Sequence, residues 1–171
     1  MKWIDLTPIL SPIEWAVIGA VATRHYMPER LTRDLDLIIM QNDGLVARQK
    51  LISAGYKFQS DLGIGGSAWS SPRDEQIDLI EGDQPWLEDA LHQAQSNRDL
   101  QGLPILPLPY LVLLKFQSGR VQDLADLTRM FGLSDEAALN RVRKLIQQYE
   151  PEGYKDLESM ITLGKMELGR A

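Results

Sequence analysis

The stretch WAVIGAVATRHYMPERLTRDLDLIIM, residues 15–40, decides how the rest of the chain is interpreted. Two apolar runs bracket a polar segment that ends in Asp34 and Asp36. Residues two apart on a strand point to the same face, so a strand over 34–40 directs both carboxylates one way. The apolar run after Asp36 predicts a strand that is buried beyond its mouth, where ionised aspartates need a partner or a cation. The aspartate pair therefore predicts a metal site, although the same tripeptide is also common in solvated turns.

The bulk composition is that of an ordinary globular protein, with 171 residues, 44% hydrophobic and 25% charged. No apolar run approaches the about 20 residues that a membrane span needs, and the N-terminus lacks the features of a signal peptide. We therefore expect a cytoplasmic location and no membrane partner. The formal net charge of -6 argues against a protein that holds nucleic acid mainly by its overall charge.

The absence of cysteine restricts the ligands that a metal could use. A metal would have to bind oxygen atoms or His25 and His92, and these histidines stand apart in the sequence. Structural roles are the simpler interpretation of both. Oxygen ligands favour Mg²⁺ or Mn²⁺.

The segments before Gly102 alternate between strand and helix patterns, whereas those after it are helical only. This change predicts a core over 1–102 and a C-terminal helical segment over 103–171.

Asp78 lies in the last of three short strands, within an apolar run, and is the third candidate carboxylate. An edge-strand aspartate facing solvent would look the same. Ser134 is the predicted cap of one helix. The predicted strands cover 15–18, 34–40, 56–59, 67–70 and 76–80, the last three as a meander of edge strands, and the helices cover 20–27, 45–52, 85–95, 110–117, 121–131 and 154–166.

Three aspartates on two strands, preceded by a strand, a glycine and a helix, suit one kind of chemistry. Metal ions held by shared carboxylates orient the phosphates of a nucleotide and stabilise the attacking and leaving oxygens. Gly19 fits this scheme, because backbone N–H groups at a turn into a helix bind phosphate and a residue without a side chain allows a close approach.

At this point the sequence resembles the nucleotidyltransferase fold, whose signature is a Gly-Gly or Gly-Ser turn followed after a short helix by Asp-x-Asp. The signature stands here as Gly19-Ala20 and Asp34-Leu35-Asp36, with Ala20 as a departure. Arg30-Leu31-Thr32-Arg33 looks like the Arg-x-Thr/Ser element of the abortive-infection type nucleotidyltransferase toxins. That branch also carries a C-terminal pattern of Lys, Gly-Arg and Asp-x-x-Asp, and the matching residues are Lys115, Gly119, Arg120, Asp123 and Asp126.

The resemblance covers roughly residues 15–131 and implies an α+β polymerase-beta-like fold, a small mixed sheet flanked by helices with a C-terminal helical segment. It implies metal-dependent transfer of a nucleoside monophosphate from an NTP to a hydroxyl group on RNA, a protein or a small molecule. A toxin-antitoxin or phage-defence system, with a cognate toxin or antitoxin as partner, would be a fitting context. By resemblance, Asp34 and Asp36 hold the metal ions, and Asp78 completes the site and helps to activate the acceptor.

The resemblance also assigns residues to the nucleotide. Lys115 and Arg120 would face the nucleotide or its phosphates, and Asp123 would belong to the same site or orient one of these cations. The residues predicted to bind the donor are Gly19, Ala20, Arg30, Thr32, Lys115, Arg120 and Asp123, with Lys115 also predicted to be catalytic.

Simpler interpretations stay open beside these. Lys115 could be a lysine whose stem covers the core while its ammonium reaches water, and Arg120, Asp123 and Asp126 could be surface helix pairs. The whole chain could be a catalytically silent binding module that acts as one partner of a toxin-antitoxin pair. Such a module would use its acidic surface to meet a basic partner.

Overall fold

The structure is a computed structural model that describes residues 2–28 and 32–169. Within these residues the chain divides into two compact units. Residues 2–22 and 32–106 form an α+β unit, and residues 23–28 and 107–169 form a helical unit. The predicted α+β class, with a small mixed sheet flanked by helices and a C-terminal helical segment, is confirmed. The functional division into 1–102 and 103–171 stays a prediction.

In its described residues the α+β unit contains five strands, three complete helices and the first half of a fourth. The second half of that helix, residues 23–26, belongs to the helical unit. A single 3₁₀ turn, Gln41–Asp43, leads from the second strand into the third helix. The elements are α1 (Thr7–Leu10), β1 (Trp15–Val17), α2 (Gly19–Tyr26), β2 (Asp34–Met40), α3 (Gly44–Ser53), β3 (Lys57–Asp61), β4 (Gly66–Ser70), β5 (Gln76–Gly82) and α4 (Leu87–Ala94).

The five strands form one mixed sheet in the order β1-β2-β5-β4-β3. β2 and β5 are parallel, and all other neighbours in this sheet are antiparallel. The prediction that β5 is an edge strand is wrong, because β5 pairs with β2 on one side and β4 on the other. Residues 62–65, between β3 and β4, form the short connection of a β-hairpin.

One face of the sheet is the hydrophobic core of this unit. Leu35, Leu37, Ile77 and Leu79 alternate along β2 and β5 on this face and are fully buried. Complete burial of each such side chain contributes about 1.5–3 kcal/mol. Arg48 on α3 ties its helix to this face, since its guanidinium donates to Glu81 Oε1 (2.9 Å) and to Asp61 Oδ1 (3.0 Å).

The opposite face of the sheet is divided between packing and polar side chains. At the far end of β2 and β5, a β-carbon added to Gly82 would lie 2.6 Å from Leu87 Cδ2 and 3.4 Å from Ile38 Cδ1. Helix α4, which carries Leu87, therefore packs on this end of the face. The near end of this face, where β2 begins, carries Asp34 and Asp36.

The helical unit is built from α5 (Leu108–Ser118), α6 (Val121–Leu133), α7 (Glu136–Tyr149) and α8 (Tyr154–Glu167). Helices α6 and α8 come very close at Gly132 and Gly164, where an added β-carbon would lie 2.3 Å and 2.1 Å from backbone oxygens of the other helix. The predicted cap Ser134 is wrong. α7 begins one residue later, and the Asp135 side chain accepts from Ala138 N (2.7 Å).

Among the helices of the described residues, none combines the length and the apolar character that crossing a bilayer requires.

Candidate active site

The parallel pairing of β2 with β5 brings the three predicted carboxylates together. Asp36 is directly opposite Asp78 in the register, and Asp34 is opposite Gln76. Neighbouring strands lie about 4.8 Å apart, and residues two apart on one strand share a face. Asp34, Asp36 and Asp78 therefore lie on one face of the sheet, at the ends where both strands begin.

The electrostatics of this group confirm that two of its members are close. Asp78 is half-buried, and burial raises the pKa of its carboxyl group; the nearby charge of Asp34 raises this pKa further. A carboxylate with a raised pKa is a stronger base than an ordinary aspartate. The arrangement suits either a shared cation or the acceptance of a proton.

The third carboxylate, that of Asp36, lies against the backbone of Gly19. A β-carbon added to Gly19 would be 1.8 Å from Asp36 Oδ2, and Gly19 has a left-handed φ of +58°. Gly19 is thus a position of close approach within the chain, and Asp36 is the group that approaches it. Ile18 N also donates to Asp36 O (2.9 Å), which fixes the end of β1 beside β2.

Gly19→Ala is expected to lower the free energy of unfolding by about 1–3 kcal/mol, because an L side chain is strained at this φ and displaces Asp36. Urea unfolding of the variant and the native chain measures the difference. Gly63→Ala is the matched control, since a β-carbon there meets nothing within 4 Å. Equal stability of the Gly19→Ala and Gly63→Ala proteins would contradict the assigned contact.

The three aspartates offer the type of ligand atom that a hard divalent cation binds. Carboxylate oxygens are what Mg²⁺ and Mn²⁺ prefer, and a cation would relieve the repulsion that Asp34 exerts on Asp78. Over residues 2–28 and 32–169, however, no group of three or more His, Asp or Glu side chains is already arranged to hold a metal ion. The carboxylates share a face without forming a preassembled cage.

The other residues that were predicted to lie near the aspartates differ in their surroundings. The Thr32 hydroxyl accepts from Asp34 N (3.3 Å) and contacts Asp34 O at the same distance, so it closes the turn into β2. Ala20 is buried at the start of α2. Arg30 lies outside the described residues.

Lys115 lies in a buried ion cluster within the helical unit. Its Nζ donates to Asp123 Oδ1 (2.6 Å) and to Asp126 Oδ2 (2.9 Å). The three side chains are 5%, 3% and 4% exposed, respectively. Lys115 is thus not a lysine that reaches water, and the two aspartates are not surface helix pairs. We call Lys115, Asp123 and Asp126 the buried lysine cluster.

Asp123 receives two further donors. Ser118 Oγ and Arg120 Nε each donate to its Oδ2 at 2.6 Å, and the Arg120 side chain remains 74% exposed. Burial acts to raise the pKa of Asp123, but the three donors outweigh it and hold this pKa below its usual range. Ser118 was not predicted as part of this group, because its only signal in the sequence is a hydroxyl one turn after Lys115 at the end of α5.

Several other aromatic and charged side chains have structural surroundings. Trp69 and Trp86 are buried in the core. His25 is exposed and meets the edge of the Tyr26 ring. Arg143 pairs with Glu158 and Glu136 on the surface of its own unit.

Comparison with known proteins adds a weak likeness. No protein-family model matches the chain, and no curated protein matches it. Among solved structures, it is similar to a solution structure of the antibiotic-resistance factor ANT(2'')-Ia, with a TM-score of 0.48 and 12% identity over 92% of this chain and 86% of that chain. A crystal structure of ANT(2'')-Ia in complex with adenylyl-2''-tobramycin gives a TM-score of 0.45 and 12% identity over 91% and 89%.

Proposed function

We propose that this protein is a metal-dependent nucleotidyltransferase, which moves a nucleoside monophosphate from an NTP to a hydroxyl group. The observation that carries the proposal is the register of β2 against β5. This register puts Asp34, Asp36 and Asp78 on one face of the sheet, and Asp36 lies against the Gly19 backbone. The acceptor is RNA, a protein or a small molecule, and the proposed context is a toxin-antitoxin or phage-defence system.

Asp34, Asp36 and Asp78 would hold Mg²⁺ or Mn²⁺, and a bound ion would supply positive charge to the phosphates and to the leaving pyrophosphate. The acceptor oxygen forms a bond to the α-phosphorus while the bond from this phosphorus to the bridging oxygen breaks. The hydroxyl proton must leave at the same stage. Asp78 would accept it, because this carboxylate lies directly opposite Asp36 on the same face of the sheet.

The turn at Gly19 and Ala20 would bind the triphosphate through backbone N–H groups at the start of α2. Ala20 keeps this backbone donor and lacks the hydroxyl that a serine would add. Catalysis in such a site comes mostly from alignment of the acceptor oxygen with the α-phosphorus and from fixed charges around them.

Thermal unfolding with each NTP, with and without Mg²⁺, tests the binding part of the proposal. One NTP is expected to raise Tm, and only when Mg²⁺ is present. A ligand at about 100 times its Kd raises the free energy of unfolding by about 2.7 kcal/mol. Transfer of label from the α-labelled form of that NTP to cellular RNA, protein or small molecules then tests the reaction. The same mixtures with excess chelator serve as controls.

A catalytically silent binding module is the second candidate. It is favoured by the absence, across the described ranges, of a preassembled metal-binding group. No metal-dependent shift and no transferred label with any NTP, together with a stable complex with a basic protein partner, would establish the module and overturn the enzyme.

A further inference from the structure

The aspartate face continues beyond Asp78 onto the two remaining strands of the sheet. Ala68 on β4 is directly opposite Asp78, and Ser60 on β3 is directly opposite Ala68. Directly opposite residues on neighbouring strands share a face. One row of side chains therefore crosses the sheet on this face, and Ser60 lies two strands, or about 10 Å, beyond Asp78. All members of the row, Asp36, Asp78, Ala68 and Ser60, belong to the α+β unit.

The row is open to solvent at Ala68. The other four residues of β4 are buried, whereas Ala68 is partly exposed. Ser60 is exposed on the edge strand β3, and Asp78 is itself partly exposed. An alanine carries only a β-carbon, so it leaves space above the strand that a larger side chain would fill. A second molecule could therefore lie on the sheet directly beside Asp78.

The order of groups across the sheet gives the donor and the acceptor opposite sides. Gly19 follows β1, which flanks β2 on the side away from β5, and it lies against Asp36. In the proposed reaction this turn binds the triphosphate, so the pyrophosphate leaves on the β1 side. The attacking oxygen, the phosphorus and the leaving oxygen lie roughly in line. The acceptor oxygen must then arrive from the side of Asp78, and the body of the acceptor lies over Ala68 and Ser60.

Lys57 gives this side of the face a positive charge. It is exposed and lies opposite Ser70, which lies opposite Gln76 on the aspartate face. The other charged residue of β3, Asp61, is on the core face and accepts from Arg48. An anionic acceptor would thus meet an ammonium group here and no carboxylate of β3 or β4. An acceptor that reaches both Asp78 and Lys57 spans two strands, which favours an extended polyanion over a small one.

We propose that the acceptor is the end of a single-stranded RNA, which lies on Ala68 and Ser60 with a backbone phosphate at Lys57. We call Lys57, Ser60 and Ala68 the acceptor shelf. This assignment rests on the proposed function and deepens it, because it names the substrate class. The oxygen of the terminal 3′-hydroxyl bonds to the α-phosphorus, its proton passes to Asp78, and the bond to the bridging oxygen breaks as pyrophosphate leaves. A contact through one lysine is local, so it agrees with a chain whose formal net charge is -6.

Protection of the sheet edge is the competing explanation for Lys57. Edge strands carry lysines that prevent pairing with another chain, and β3 is an edge strand. The two roles differ in what they change. A lysine that only protects the edge affects solubility, whereas a phosphate-binding lysine affects the Kd for RNA and the dependence of this Kd on salt.

The first measurement is transfer of label from the α-labelled NTP, with Mg²⁺, to a short single-stranded RNA that has a free 3′-hydroxyl. Ala68→Leu is expected to lower this transfer by roughly 10- to 100-fold, because its side chain displaces the RNA end, while the Kd for the NTP measured by calorimetry stays unchanged. Ala54→Leu is the matched control, since Ala54 is partly exposed at the end of α3, which packs on the opposite face. Ser60→Leu repeats the test at the exposed edge, where the packing of β4 is not affected.

The second measurement is the Kd of the same RNA, dye-labelled and without NTP, by fluorescence anisotropy over a range of salt concentrations. Lys57→Gln is expected to raise this Kd roughly 3- to 10-fold at low salt. The slope of log Kd against log salt should fall by about 0.7, the contribution of one phosphate contact on a single strand. Lys57→Arg is expected to keep the native slope. Lys50→Gln, on α3 at the opposite face, is the control and should leave both Kd and slope unchanged.

Normal transfer to RNA in both Ala68→Leu and Ser60→Leu, or an unaltered slope in Lys57→Gln, would overturn the acceptor shelf. A native chain that labels a protein or an amino sugar and leaves RNA unlabelled overturns it too, while the proposed function stands. A native chain that binds no NTP and labels no acceptor overturns both.

Discussion

Asp36→Asn is expected to lower the rate of label transfer from the α-labelled NTP by about 10³-fold or more, while the chain stays folded. Asparagine has the shape of aspartate and fits over Gly19, but it has no charge to hold a cation or to orient the phosphates. Removal of one fixed electrostatic group from such a site costs about 10²–10³ in rate, and a metal ligand is expected to cost at least the upper value. Asp36 also lies directly opposite Asp78.

The matched control for this prediction is Asp83→Asn. Asp83 is exposed just after β5, so its replacement removes the same charge from the same unit without touching the aspartate face. The rate of transfer and Tm are measured for both variants. A rate in Asp36→Asn equal to that in Asp83→Asn would remove Asp36 from the site.

Lys115→Met is expected to lower the free energy of unfolding by about 3–5 kcal/mol at pH 7. Methionine fills the space of the lysine stem, so the main effect is that Asp123 and Asp126 lose the ammonium between them. Removing one partner from a buried ion pair leaves an uncompensated charge, which costs this amount. Lys155→Met, an exposed lysine of α8, is the control and is expected to stay within about 0.5 kcal/mol of the native chain.

The pH dependence of the same variant gives a second measurement. In the native chain the folded pKa of Asp123 is lowered, so its contribution is present above the unfolded pKa of about 3.9 and is lost as the pH falls through the folded pKa. In Lys115→Met, Asp123 loses one of the three donors that oppose the effect of burial, and protonation of its carboxylate at low pH removes part of the penalty. The difference in unfolding free energy should therefore shrink as the pH falls below about 4, and a difference that grows would contradict the assignment.

The aspartate face was largely predictable from sequence because two local patterns agree there. Asp34-Leu35-Asp36 before an apolar run has the period of a strand, and β2 begins and ends where this pattern predicts. Gly19 is separated from it by one short helix. The same face also carries Asp78, whose apolar neighbours Ile77 and Leu79 indicate a strand but not the strands with which it pairs.

Sequence periodicity does not show which strands pair with each other in the sheet. An apolar run with one aspartate fits an edge strand and an interior strand equally, and the choice depends on contacts between distant segments. The buried lysine cluster was hidden for a related reason. Lys115 and its partners Asp123 and Asp126 lie on two helices joined by a left-handed turn at Gly119, and each residue alone has the character of a surface residue.

Strand β5 occupies the gap between two strands that both precede it in the chain. During synthesis, β1 can pair with β2 and β3 with β4 before β5 has been made, but these two pairs have no hydrogen bonds to join them into one sheet. The arrival of β5 completes the sheet and delivers Asp78 to Asp36 in the same step. A nascent chain that ends before Gln76 therefore lacks both Asp78 and the strand that places this aspartate opposite Asp36.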